Sequence, residues 1–78
     1  MGEIFRFKNL KFKIWSNDHV PPHVHVHGPD AHAVVNLETL EIMKARGFSE
    51  KDLKLIQQQI FTRRIKILEK WEEIHVKN

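Results

Sequence analysis

Residues 17–28 of the chain, NDHVPPHVHVHG, concentrate side chains that can carry protons or ligate metal ions. His23, His25 and His27 alternate with Val24 and Val26, and Asp18 and His19 stand just before Pro21-Pro22. Strict alternation predicts a strand with the three imidazoles on one face and the valines on the other. Residues two apart on a strand are about 6.6 Å apart on the same side, so a neighbouring pair can share one ion. His23 and His27 start about 13 Å apart and cannot easily do so. A metal centre would therefore be built on His23 and His25, completed by His19, Asp18 or His32, with His19, His23 and His25 as the first choice. Nitrogen and oxygen donors with an open position for water suit Zn²⁺ or another borderline divalent ion.

The same residues allow chemistry without a metal. Two imidazoles near their unperturbed pKa of about 6.5 can act as base and acid. Flanked by Lys11, Lys13 or Arg46 to steady phosphate charge, they are the minimum equipment for cleaving RNA through its 2′-hydroxyl. In that scheme His19, His23 and His25 are the catalytic candidates, and Asp18, Lys11, Lys13 and Arg46 the binding candidates. A single such histidine is more often a solvent-facing strand residue opposite a core valine. Five between Asp18 and His32, around a double proline, favour function.

The elements that must position these groups follow from periodicity. Phe5 and Phe7 are in phase, the phase flips after Lys8-Asn9, and Leu10, Phe12 and Ile14 share the next face. That pattern predicts a hairpin, with Asn9 taking the left-handed turn conformation. Pro21-Pro22 separates the Ser16-Asn17-Asp18 loop from the histidine strand. Gly28-Pro29-Asp30 is a turn, Ala31 to Leu37 a further strand, and Leu40 to Met43 a short fifth one. From Ser49 the period becomes helical, with Ser49 and Asp52 as a capping box and Phe48 stapled onto Leu53. Leu53, Ile56, Ile60, Ile67, Trp71 and Ile74 form one stripe, widened by Phe61 and Leu68. Leu55 and Ile65 lie off it, which implies either a bend near Phe61-Thr62 or contact with a second subunit. A basic flank of Arg63, Lys66, Lys70 and Lys77, with glutamates interleaved, reads as a solvated face. The expectation is one α+β domain over 1–78, β-rich over 3–44 and helical over 49–75. In it, a small antiparallel sheet of four to five strands packs against a long or bent C-terminal helical segment.

Size and charge narrow the class. With 78 residues and no cysteine, the chain has neither disulfides nor thiolate zinc ligands to support a small core. Packing, self-association or a histidine–carboxylate metal must supply the stability. Thirteen Lys and Arg against ten Asp and Glu give a net charge of +3, which permits RNA, DNA or an acidic protein as partner without demanding any of them. The start lacks a basic segment followed by an apolar run, and no stretch approaches the roughly 20 apolar residues that span a bilayer. These features lead us to expect a cytoplasmic protein without membrane contact, and a homodimer through Leu55, Ile65 or the Trp15 face is compatible with them.

Three runs carry a family resemblance: SNDHVPPHVHVHG at Ser16 to Gly28, RGFSEKDL at Arg46 to Leu53, and LEKWEEIH at Leu68 to His75. Together they resemble the small bacterial proteins grouped as Domain of Unknown Function 4160. The signature Asp/Glu-His-x-Pro-Pro-His-x-His is matched at Asp18, His19, Pro21, Pro22, His23 and His25. Gly-Phe-Ser and Leu-x-x-Trp are matched at Gly47, Phe48, Ser49, Leu68 and Trp71. His27 falls outside the signature. The resemblance implies a toxin–antitoxin-like gene context, and hence a cognate small protein as partner. By contrast, HVHVHG matches histidine-triad nucleotide hydrolases over six residues only, in a chain short for that fold.

Overall fold

Alternating apolar and charged residues on either side of Lys8-Asn9 close into the expected hairpin. In the computed structural model, which describes residues 2–76, β1 (Glu3–Phe7) pairs antiparallel with β2 (Leu10–Lys13). The left-handed backbone falls on Lys8 (φ 56°) rather than Asn9. A two-residue hairpin can take its positive φ at the first central position, and here it does. Three more strands follow, β3 (His23–Gly28), β4 (Ala31–Asn36) and β5 (Ile42–Arg46). Their order in the sheet is their order in the chain, and each neighbouring pair is antiparallel.

The fifth strand begins two residues later than expected and runs through Arg46. The delay has a local cause. Asn36 Oδ1 accepts from the Glu38 and Thr39 N–H groups, and Leu40 turns left-handed at φ 67°, so residues 37–40 form the corner rather than the strand.

One face of the sheet is apolar. Phe12, Ile14, Val24, Val26, Ala33, Val35 and Leu37 are all buried, and Ile56, Ile60, Ile67 and Trp71 of the helical segment complete the same cluster. That segment is two helices, α1 (Glu50–Thr62) and α2 (Arg64–Val76). Ser49 Oγ accepts from the Asp52 N–H while Asp52 Oδ2 accepts from the Ser49 N–H, the reciprocal cap anticipated from the sequence. Ser49→Ala removes one half of this cap and should cost about 1 kcal/mol, seen as a lower midpoint in a thermal melt.

The chain bends at Arg63, whose N–H reaches the carbonyls of Ile60 and Phe61. The bend is anchored to the sheet. Arg64 Nε donates to the Leu37 carbonyl at 2.9 Å, and Gln57 Nε2 donates to the Leu40 carbonyl at 2.7 Å. Phe61 does not widen the buried stripe as expected. It follows Ile60 by one residue, about 100° around the helix, and is 59% exposed. Ile65 is also exposed, and Leu55 is half-buried. Arg63, Lys66 and Lys70 line a groove with Glu69 and Glu73, and Lys70 pairs with Glu73, which fits a solvated flank. Lys77 lies outside the described residues. Among the described residues no helix is long and apolar enough to cross a membrane.

Candidate metal centre

The valines of β3 fix where its histidines go. Val24 and Val26 are fully buried under the helices, so His23, His25 and His27 stand on the opposite face. Strand pairing then decides their neighbours. Lys13 lies across from His25 and Lys11 across from His27 on one side. On the other, Val34 lies across from His25 and His32 across from His27, and Arg46 of β5 in turn faces His32. The three cationic residues singled out in the sequence therefore share the face of the histidines.

The loop before the prolines brings in the carboxylate. Asp18 Oδ2 accepts the Trp15 N–H at 3.0 Å, which turns Oδ1 toward β3. Oδ1 then stands 3.3 Å from His25 Nε2 and 3.6 Å from His23 Nε2. One donor atom from each of Asp18, His23 and His25 lies within 4.8 Å of the others. With bonds of about 2.0–2.1 Å, neighbouring ligands of a tetrahedral zinc ion are about 3.3 Å apart, so these separations suit a single small ion.

Contacts also fix the far side of each imidazole. His23 Nδ1 lies 2.7 Å from the Pro21 carbonyl, an atom that can only accept, so Nδ1 carries the proton. In the neutral ring Nε2 is then a lone pair aimed at a carboxylate oxygen. Either a second proton or a cation between the two atoms makes that contact favourable. His25 Nδ1 lies 3.5 Å from His32 Nε2. With an ion on Nε2, His25 would donate from Nδ1 to His32, the outer contact that holds ligating imidazoles in one tautomer. Asp18, His23 and His25 are all half-buried, open enough for a further ligand to reach them.

Burial and neighbouring charge also act on the titratable groups of this face. Burial alone would raise the Asp18 carboxyl. The Trp15 N–H, the hydrogen bond to His25 and the charges of His25 and His23 outweigh it and hold the group below the usual carboxylate range. His27 is pushed below the ordinary histidine value, first by burial and then by its neighbours His32, Lys13, His25 and Lys11. Burial, followed by the charges of His25, Lys44 and Arg46, does the same to His32.

His19, expected among the ligands, is exposed and is not in the three-residue cluster. Asp18 takes the place proposed for it, because the Trp15 N–H folds the Asp18 side chain, and not its neighbour's, onto the strand. Sequence reasoning also missed four contributors. The Trp15 N–H and the Pro21 carbonyl are backbone groups that side-chain types do not announce. The Trp71 ring, assigned to the core, is indeed buried but also borders the site, 5.4 Å from the His23 ring and stacked at 3.8 Å on His75. Lys44, across from Val34, was legible in principle from its alternation with Arg46.

The family described as Domain of unknown function (DUF4160) matches residues 9–72, a span that contains the whole cluster. No curated protein and no solved structure matches the chain.

Proposed function

We propose that this chain, which belongs to the DUF4160 family, is a metal-binding module in which Asp18, His23 and His25 ligate one divalent ion such as Zn²⁺. The observation that carries this is Asp18 Oδ1 lying 3.3 and 3.6 Å from two imidazole Nε2 atoms, one of them held in the ligating tautomer by the Pro21 carbonyl. Three protein ligands leave the fourth position to water or to an anionic ligand, as in zinc sites that act on substrates. In a chain of 78 residues the ion would also tie the 15–22 loop to the sheet and add to a small core.

Metal removal tests it. Protein purified without chelator should carry near-stoichiometric metal by elemental analysis. Saturation at roughly 100 times Kd contributes about 2.7 kcal/mol, so the melting temperature should fall by about 10–20 °C on chelation and return with zinc. Metal-free protein whose melt ignores both zinc and chelator would end the proposal.

A second reading, metal-free RNA cleavage by one component of a toxin–antitoxin-like module, is favoured by a single observation. Asp18 Oδ1, His25 and His32 form a chain of contacts at 3.3 and 3.5 Å that points toward the Arg46 side of the sheet. The same preparation separates the two. Cleavage that survives chelation and disappears in His25→Ala with an unchanged melt supports acid–base chemistry, whereas cleavage that needs added metal supports the ion.

A further inference from the structure

The sheet face turned away from the helices carries a charge pattern that metal binding does not use. Strand pairing sets out two rows across it. Lys13, His25, Val34 and Lys44 form one, and Lys11, His27, His32 and Arg46 form the other. On β1 the first row continues to Glu3, across from Lys13, and the second to Arg6, across from Lys11. In both rows imidazole stands between the β2 lysine and the β5 cation. Lys11, Lys44 and Arg46 are exposed. Among the described residues none of Lys11, Lys13, Lys44 and Arg46 is paired with a carboxylate. Glu3 is the one carboxylate in the rows and is hydrogen-bonded by Arg6, while Asp18 faces His23 and His25.

An aromatic ring borders the rows. Trp15 is 39% exposed, and Lys13 Nζ lies 5.4 Å from its ring centroid. Rows in which Arg6, Lys11, Lys13, Lys44 and Arg46 stand against the single carboxylate of Glu3, next to an exposed indole, match a ligand that alternates phosphate and flat aromatic base. An unpaired strand offers both groups, whereas a duplex hides its base faces. An acidic peptide would satisfy the cations but leave the indole without a matching group.

We propose that this face binds single-stranded nucleic acid, with phosphates on the Lys13–Lys44 and Lys11–Arg46 rows and a base stacked on Trp15. The proposal goes beyond the metal centre and does not depend on it.

A labelled single-stranded RNA of arbitrary sequence, titrated with the full chain in the presence and absence of chelator, tests it. Neutralising four phosphates at about 0.7 ions each gives a slope of about −3 in log K against log salt, roughly a 50-fold loss between 50 and 200 mM. Lys13→Gln with Lys44→Gln should halve that slope, and Trp15→Ala should weaken binding about 10-fold, with Trp15→Phe restoring most of it. Lys13 and Lys44 lie on the sheet face away from the helices, Trp15 also borders Glu73 and Ile74 of α2, and a melt checks that the variants fold. Binding should persist in chelator, so failure of the metal centre is read from metal analysis and failure of this proposal from the binding curves. Three results would overturn it: no binding at low salt, binding unchanged by the Lys→Gln pair, or a poly-glutamate peptide that binds as tightly and competes with the RNA regardless of Trp15.

Discussion

His25→Ala should weaken zinc binding by more than about 100-fold, beyond the 10–100-fold typical of losing an orienting partner rather than a ligand. His25 has the shortest contact to Asp18 in the cluster, and its other nitrogen faces His32, so removing it takes away a donor and leaves the Asp18 carboxylate without its nearer partner. His23→Ala should behave alike, and Asp18→Asn, which keeps the shape but loses the charge, should fall between these and the parent. His19→Ala is the control that gives the series its meaning. The residue sits beside Asp18 in sequence yet outside the cluster, so its loss should leave affinity unchanged within about twofold. His32→Ala should cost no more than the 10–100-fold of an outer contact. Competition against a chromophoric chelator ranks the whole set. Equal affinity in His25→Ala, or an equal loss in His19→Ala, would show that the geometry around Asp18 is not a metal site.

Phe12→Ala is expected to have the largest effect on stability, about 3–5 kcal/mol. Phe12 is fully buried, and its ring stacks on Phe5 at 4.1 Å between centroids. It lies across from Val26 on the other side, so its loss opens a cavity against two strands at once. A domain of 78 residues has about 4–12 kcal/mol in total, and this one change can consume most of it. Denaturant unfolding measures the effect, and a cost below about 1 kcal/mol would mean that the sheet core is not organised around this ring. The consequence extends to the histidines of β3. Phe12↔Val26 is flanked in register by Lys13↔His25 and Lys11↔His27, so loosening it should also lower zinc affinity, which an unrelated surface variant would not do.

How much of this was legible in the sequence depends on the range over which each feature is encoded. The hairpin, the alternation of β3 and the Ser49 cap are written in residues a few positions apart, and they appear where the pattern puts them. The α+β arrangement followed from the change of period at Ser49. The limits of β5 were not legible, because they depend on how Asn36 and Leu40 build a corner, which composition alone does not reveal. Between the two alternatives left by Leu55 and Ile65, the bend is present, and it is set by Arg64 reaching back to the Leu37 carbonyl, 27 residues earlier. At the site, His23 and His25 were fixed by strand geometry. The third donor was not, since Asp18 and His19 are adjacent and only the backbone of the loop decides which one turns inward. The approach of Trp71 to His23 joins the two ends of the domain, and no local pattern announces it.

The sheet's neighbour-to-neighbour order has a consequence for synthesis. A chain made from its N-terminus can pair each strand with one already completed, from β1 through β5, without waiting for distant sequence. The helices that cover Phe12, Val24, Val26 and Val35 follow the sheet in the chain. Until α1 and α2 are made, that apolar face has no cover, and His23 lacks the Trp71 ring that borders it in the finished fold. The surroundings of His23 are therefore completed only when the core is.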